Sequence, residues 1–166
     1  QLISIIHNIH KSLDANPSQE VRGVFLDISK AFDRVWHDGL LYKIKSFGIE
    51  GKLFNLIESF LSNRYQRVTL NGQSSDWLAV KAGVPQGSIL GPLLFLCYIN
   101  DLPDNLISNP KLFADDTALF SNVNSPAESE NDLNQDLSNI TNWAKQWKML
   151  FNPDVSKPPK EVIFSK

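Results

Sequence analysis

The chain has 166 residues, 42% of them hydrophobic and 20% charged, with a net charge of −2. That is about one domain of ordinary globular composition, long enough to bury roughly 70% of its unfolded surface. The slight acidity argues against a free-standing nucleic-acid binder, which shows a basic face, but not against an acidic catalytic module within a longer protein.

The first element expected is a helix, because Leu2, Ile3, Ile5, Ile6, Ile9 and Leu13 form an apolar stripe up to Asp14. The chain enters it without Met and without the basic start of a signal peptide, so it reads as a piece of something larger. Asn16-Pro17-Ser18 breaks the stripe, and residues 21–27 read as a buried strand ending in a carboxylate, Asp27. Helices are expected over 40–47, stopped by Gly48, and over 52–61. Residues 65–70 and 77–82 flank Asn71-Gly72, a hairpin signal. Gly83-Val84-Pro85-Gln86-Gly87-Ser88 is a loop leading into a helix that reaches Leu102. This helix carries the single cysteine, Cys97, which excludes a disulfide framework or a zinc cluster and fits a reducing compartment. The apolar run from Ile89 to Ile99 is too short to cross a bilayer, so no membrane role is expected.

Strands at 111–114 and 117–120 follow, with Asp115-Asp116 at the turn between them. Ser125-Pro126-Ala127-Glu128 opens the last long helix, expected over 126–149, with cap, first-turn proline and capping-box glutamate together. A short strand at 161–164 closes the chain. Reduced to its backbone, the order is β-α-β-β-α-β, an α+β ferredoxin-like arrangement with residues 39–82 inserted after the first strand. In it the first strand runs beside the third, which brings Asp27 to the Asp115-Asp116 turn.

Adjacent carboxylates repel, and a divalent cation between them removes the penalty. Hard oxygen ligands suit Mg²⁺ or Mn²⁺, and two such ions about 4 Å apart serve in-line phosphoryl transfer. Asp27 and Asp115 would bridge the ions, the Ile28 carbonyl would add an oxygen, and Asp116 would be an outer or partial ligand. Arg64-Tyr65-Gln66-Arg67 interleaves charge with an aromatic ring, as a strand tracking a nucleic-acid backbone would. His7 and His10 lack a third ligand and are expected to be surface residues.

Four segments resemble the palm motifs of reverse transcriptases from non-LTR (LINE-like) retrotransposons. Phe25-Leu26-Asp27-Ile28-Ser29-Lys30-Ala31-Phe32-Asp33 resembles the first. Gly83 to Pro92 resembles the second, and Phe113-Ala114-Asp115-Asp116 the third. Trp147 to Pro153, with Lys157 beyond, is similar to the fourth. The resemblance implies RNA-templated DNA synthesis, with a DNA primer 3′-hydroxyl attacking the α-phosphate of a dNTP. It implies that Asp27, Asp115 and Asp116 are catalytic metal ligands and that Phe32 excludes a 2′-hydroxyl. Gln86 would contact the incoming nucleotide or template, Gly87 would allow close approach, and Ala114 would lie near the primer terminus. Lys157, or Lys160 as a rival, would protonate pyrophosphate. The family's upstream fingers, downstream thumb and endonuclease do not occur within these residues, so the expected whole is a palm within a retrotransposon polyprotein, in nucleus or cytoplasm. The competing expectations are a non-catalytic interaction module that keeps the fold, and a different two-metal phosphotransferase such as a nucleotide cyclase.

Overall fold

The computed structural model describes residues 2–15, 20–123, 126–152 and 160–165. The chain divides into two compact units, one of residues 1–29 with 101–166, the other of residues 30–100.

The first unit is built on an antiparallel sheet. Its strands are β1 (Glu20–Asp27), β6 (Asn109–Phe113), β7 (Asp116–Val123) and β8 (Lys160–Phe164), in the order β6-β7-β1-β8. The sheet's neighbours are all antiparallel. Strand alternation separates its two faces. Val24, Leu26 and Ile28 lie on one face and are buried, with Leu119 opposite Val24 and fully buried. Helix α6 (Pro126–Gln146) packs against β7. Its buried stripe is Leu133, Asp136, Ile140 and Ala144, continued by Trp147. These spacings of three and four residues are what one helical face requires. The stripe admits one carboxylate: Asp136 is fully buried and accepts the backbone N–H groups of Ile107 (2.7 Å) and Ser108 (2.8 Å). It thereby ties α6 to the segment that enters β6. On the opposite sheet face, register and alternation align Val21, Gly23, Phe25 and Asp27 with Asn122, Phe120, Ala118 and Asp116. Helix α1 (Leu2–Ala15) packs on β1.

The second unit holds α2 (Ala31–Arg34), α3 (His37–Ser46), α4 (Gly51–Leu61) and α5 (Leu90–Ile99). It also holds two small two-stranded ladders, β2 (Tyr65–Gln66) with β5 (Leu78–Ala79) and β3 (Thr69–Leu70) with β4 (Gln73–Ser74). Val35, Leu40, Ile44, Leu61, Leu94, Phe95, Tyr98 and Ile99 are its most deeply buried residues. Lys43 lies among them, and its ammonium donates to the Tyr98 carbonyl near the C-terminal end of α5, where the helix dipole favours a cation.

Two local expectations change. The 65–82 hairpin is not two continuous strands. Its ladder pauses at Val68 and Ser75, where Ser75 Oγ accepts the Val68 N–H and the Ser75 N–H donates to the Val68 carbonyl. The helix after the glycine loop ends at Ile99 rather than Leu102, because Leu102–Asn105 with Pro103 tightens into a 3-10 turn. The fourth-motif Lys157 lies outside the described residues.

Candidate active site

In the first unit, β1 ends on Asp27 and β7 begins on Asp116, and the two are directly opposite in the ladder. Asp116 is also opposite Phe113 of β6. The turn between β6 and β7 is therefore Ala114-Asp115, not Asp115-Asp116 as the apolar runs on either side suggested. The reason is backbone conformation: Ala114 takes a left-handed φ of 53° and reverses the chain one residue early. A non-glycine residue held in that region stores strain of the kind found at functional turns.

Direct cross-strand carboxylates repel. Both Asp27 and Asp116 are exposed, and among the described residues neither has a lysine or arginine ion-pair partner. Asp115 is half-buried beside them in sequence. Among the described residues, no three acidic, histidine or cysteine side chains gather closely enough to hold an ion together. The strand register thus makes Asp116 the direct partner of Asp27, where sequence reasoning paired Asp27 with Asp115. The donor set fits a hard divalent cation in its chemistry: two exposed carboxylates on one face at the end of a sheet, like charges opposed and no cation between.

Asp27 is anchored by residues that sequence reasoning left without a role. The Asn152 N–H donates to the Asp27 carbonyl at 2.8 Å, and the Asn152 side-chain amide donates to Asp27 Oδ2 at 3.0 Å. Next to it, Ile28 bridges Phe151 and the Ser29 N–H donates to the Leu150 carbonyl at 2.8 Å. Ile28 is 2% exposed, with its side chain in the core face. The signal available in sequence was only the Asn-Pro that ends the last helix. Lys160 pairs with Phe25 in the ladder, so it lies on the same face as Asp27, two positions along β1. A cleft of about 580 Å³ lies on this face too, lined by Ile5, Ile9, Val21, Phe120 and Asn122 among others. It sits at the far ends of β1 and β7 from the acid pair.

In the second unit, the glycine loop is knitted to the turn before α3. Gly83 N–H donates to the Val35 carbonyl and Val84 N–H to the Phe32 carbonyl, both at 2.8 Å, and His37 Nε2 contacts the Gly83 carbonyl at 2.8 Å. His37 therefore belongs to this loop's support. Gln86 is exposed, and its amide donates to Asp33 Oδ1 at 2.7 Å. Gly87 has a φ of 79° with open space where a Cβ would stand. Phe32 stacks on Phe95, ring centroids 4.4 Å apart and 24° between planes. Ser88 Oγ donates to the Pro85 carbonyl and accepts the Gly91 N–H, starting α5.

The family model for reverse transcriptase (RNA-dependent DNA polymerase) matches residues 2–157. The chain belongs to that family. This reverse transcriptase chain is 36% identical over 158 residues to the RNA-directed DNA polymerase from mobile element jockey of Drosophila melanogaster, covering 88% of the chain and 17% of the relative. It is 39% identical over 153 residues to the jockey polymerase of Drosophila funebris, covering 87% and 17%. It is 34% identical over 161 residues to a probable RNA-directed DNA polymerase from transposon X-element of Drosophila melanogaster, covering 94% and 17%. These relatives place it with LINE-like, non-LTR reverse transcriptases, and it spans 17% of their length. An apo telomerase structure from Candida tropicalis, truncated from its C-terminal domain, shares the fold with a TM-score of 0.72 at 15% identity, over 99% of this chain and 35% of that one. No helix among the described residues is long and apolar enough to cross a membrane.

Proposed function

We propose that this chain is the palm of a retrotransposon reverse transcriptase and takes part in RNA-templated DNA synthesis. On this reading the β-α-β-β-α-β order is that of a polymerase palm, and residues 39–82 are its insertion. The carrying observation is the ladder pair Asp27 and Asp116, with Asp115 immediately before it in a strained turn, in a chain of this family. Asp27, Asp115 and Asp116 would hold Mg²⁺ or Mn²⁺, two ions on this reading, with the Ile28 carbonyl adding an oxygen; the ions would supply a lowered pKa for the primer 3′-hydroxyl and charge neutralisation for the leaving pyrophosphate.

The rest of the work falls to the chain itself. The β1–β7 ladder holds two carboxylates at one place without loop freedom, which is the positioning that in-line transfer needs. By motif, Phe32 blocks the 2′-hydroxyl of a ribonucleotide, and its stacking on Phe95 fixes the ring plane. Gln86 contacts the dNTP or template, Gly87 admits it closely, and Ala114 adjoins the primer terminus. Lys157, or its rival Lys160, which lies on the Asp27 face of β8, supplies a cation for pyrophosphate. The partners are an RNA template, a DNA primer, dNTP and the rest of the polyprotein.

The test is primer extension on poly-A RNA with Mg²⁺, using the chain joined to its natural flanking segments. Wild type extends and Asp115→Ala does not; extension that survives this substitution sinks the catalytic assignment. A non-catalytic interaction module would show no extension with either.

A further inference from the structure

The segment after the last helix does more than end it. Residues 150–152 run antiparallel to 27–29 as a short outlying ladder: the Ser29 N–H reaches the Leu150 carbonyl, Ile28 bridges Phe151, and the Asn152 N–H reaches the Asp27 carbonyl. This backbone pairing needs no particular side chain. Asn152 adds a bond that does. Its amide nitrogen donates to Oδ2 of Asp27 at 3.0 Å, so one residue grips both the main chain and the carboxylate of Asp27.

We infer that Asn152 is a positioning residue that orients the Asp27 carboxylate toward a divalent cation. The inference rests on the metal reading proposed above.

Asp27 is exposed, and among the described residues it has no cationic partner, so little else restrains rotation about its Cβ–Cγ bond. An ionised carboxylate offers about four lone-pair sites. The amide occupies one site on Oδ2 and leaves Oδ1, with the remaining site of Oδ2, free for a cation. The choice of asparagine matters in kind. A lysine or arginine there would compete with the cation for the carboxylate by charge. An aspartate would place a third acid against the Asp27–Asp116 pair. A neutral donor orients the group and leaves its charge available, which is how residues behind metal ligands act. Asn152 lies in the segment that resembles the fourth motif, remote in sequence from the first, and meets Asp27 through the outlying ladder.

The test uses Mn²⁺ itself, titrated calorimetrically into this chain, with Asn152→Ala and Asn152→Leu as variants. Leucine keeps the heavy-atom branching of asparagine, in a somewhat larger apolar form, without its donor. Both variants are expected to bind Mn²⁺ about tenfold more weakly, the size typical when a residue supporting a metal ligand is lost. Their urea unfolding midpoints stay at the wild-type value, because the main-chain ladder remains. Mn²⁺ affinity equal to wild type in both variants overturns the positioning role and leaves the metal site standing. A lowered affinity that tracks a lowered unfolding midpoint in both assigns Asn152 to the fold alone and overturns it as well. Absence of Asp27-dependent binding in wild type removes the metal reading, and this inference with it.

Discussion

Substituting Gly83 by alanine isolates what the glycine loop contributes to the site. Gly83 has a φ of 90°, outside the range L-residues favour, so a Cβ there costs roughly 1–2 kcal/mol in backbone conformation alone. The added atom would also stand 2.8 Å from the Asp33 carbonyl oxygen, 2.9 Å from its Cα and 3.0 Å from its carbonyl carbon. All three are main-chain atoms that cannot swing aside as a side chain can, and overpacking of this kind costs about 1–3 kcal/mol. Relief by moving the loop would stretch the Gly83–Val35 and Val84–Phe32 hydrogen bonds, each worth roughly 1 kcal/mol. The expected loss is about 2–4 kcal/mol in urea unfolding monitored by tryptophan fluorescence. Gly48→Ala is the control. Gly48 has a φ of 78° with nothing within 4 Å of a Cβ, so it carries the conformational cost without the contact. Equal losses at Gly48 and Gly83 would refute the close-approach argument. In the longer polymerase, Gly83→Ala should also lower primer extension at limiting dNTP, since the loop bearing Gln86 moves with it.

Three further outcomes are expected. Phe32→Val keeps apolar bulk against Phe95 while opening the sugar side, so ribonucleotide use relative to deoxynucleotide use in primer extension should rise about tenfold, a change of about 1.4 kcal/mol; an unchanged ratio removes the gate. Asp136→Asn leaves one of two part-buried backbone donors facing an amide nitrogen and should destabilise the first unit by roughly 1–3 kcal/mol, read as hydrogen exchange at Ile107 and Ser108; unchanged protection there contradicts the clamp. Burial pushes the Cys97 thiol above its ordinary range. The sign follows from the neutral thiol being the favoured form in the fold: that contribution is whole below the unfolded thiol's pKa and is lost as pH rises through the raised one. Iodoacetamide should therefore modify Cys97 at higher pH in the native chain than in urea, and coincident pH profiles would count against it.

Much of this protein is written in local pattern. The i, i+3, i+4 stripes of α1 and α6, the apolar run of β1, and the Pro126 that opens α6 announce their elements because each follows from spacing and end chemistry among neighbouring residues, while the expected Ser125 cap lies outside the described residues. The four motifs announce the family for the same reason, since their residue types and order can be read without coordinates. The turn chemistry was harder. The sequence marks a reversal near Asp115, but only the left-handed backbone of Ala114 decides that the turn is Ala114-Asp115 and that Asp116 opens β7. The buried carboxylate of Asp136 was equally hidden, because its stripe position reads as polar until two main-chain donors outside the helix are found to face it.

What the sequence by itself determined is the family and most of the longer helices and strands. Periodicity, capping and motif order are properties of residues close together in the chain. What only the tertiary structure decided is which acid faces which, and what holds them. Asp27 opposite Asp116, Asn152 on Asp27, and His37 on Gly83 are meetings of distant segments, set by strand register and loop packing. A shift of one residue in that register would turn one of the two acids to the other face, so no local reading of the residues can supply it.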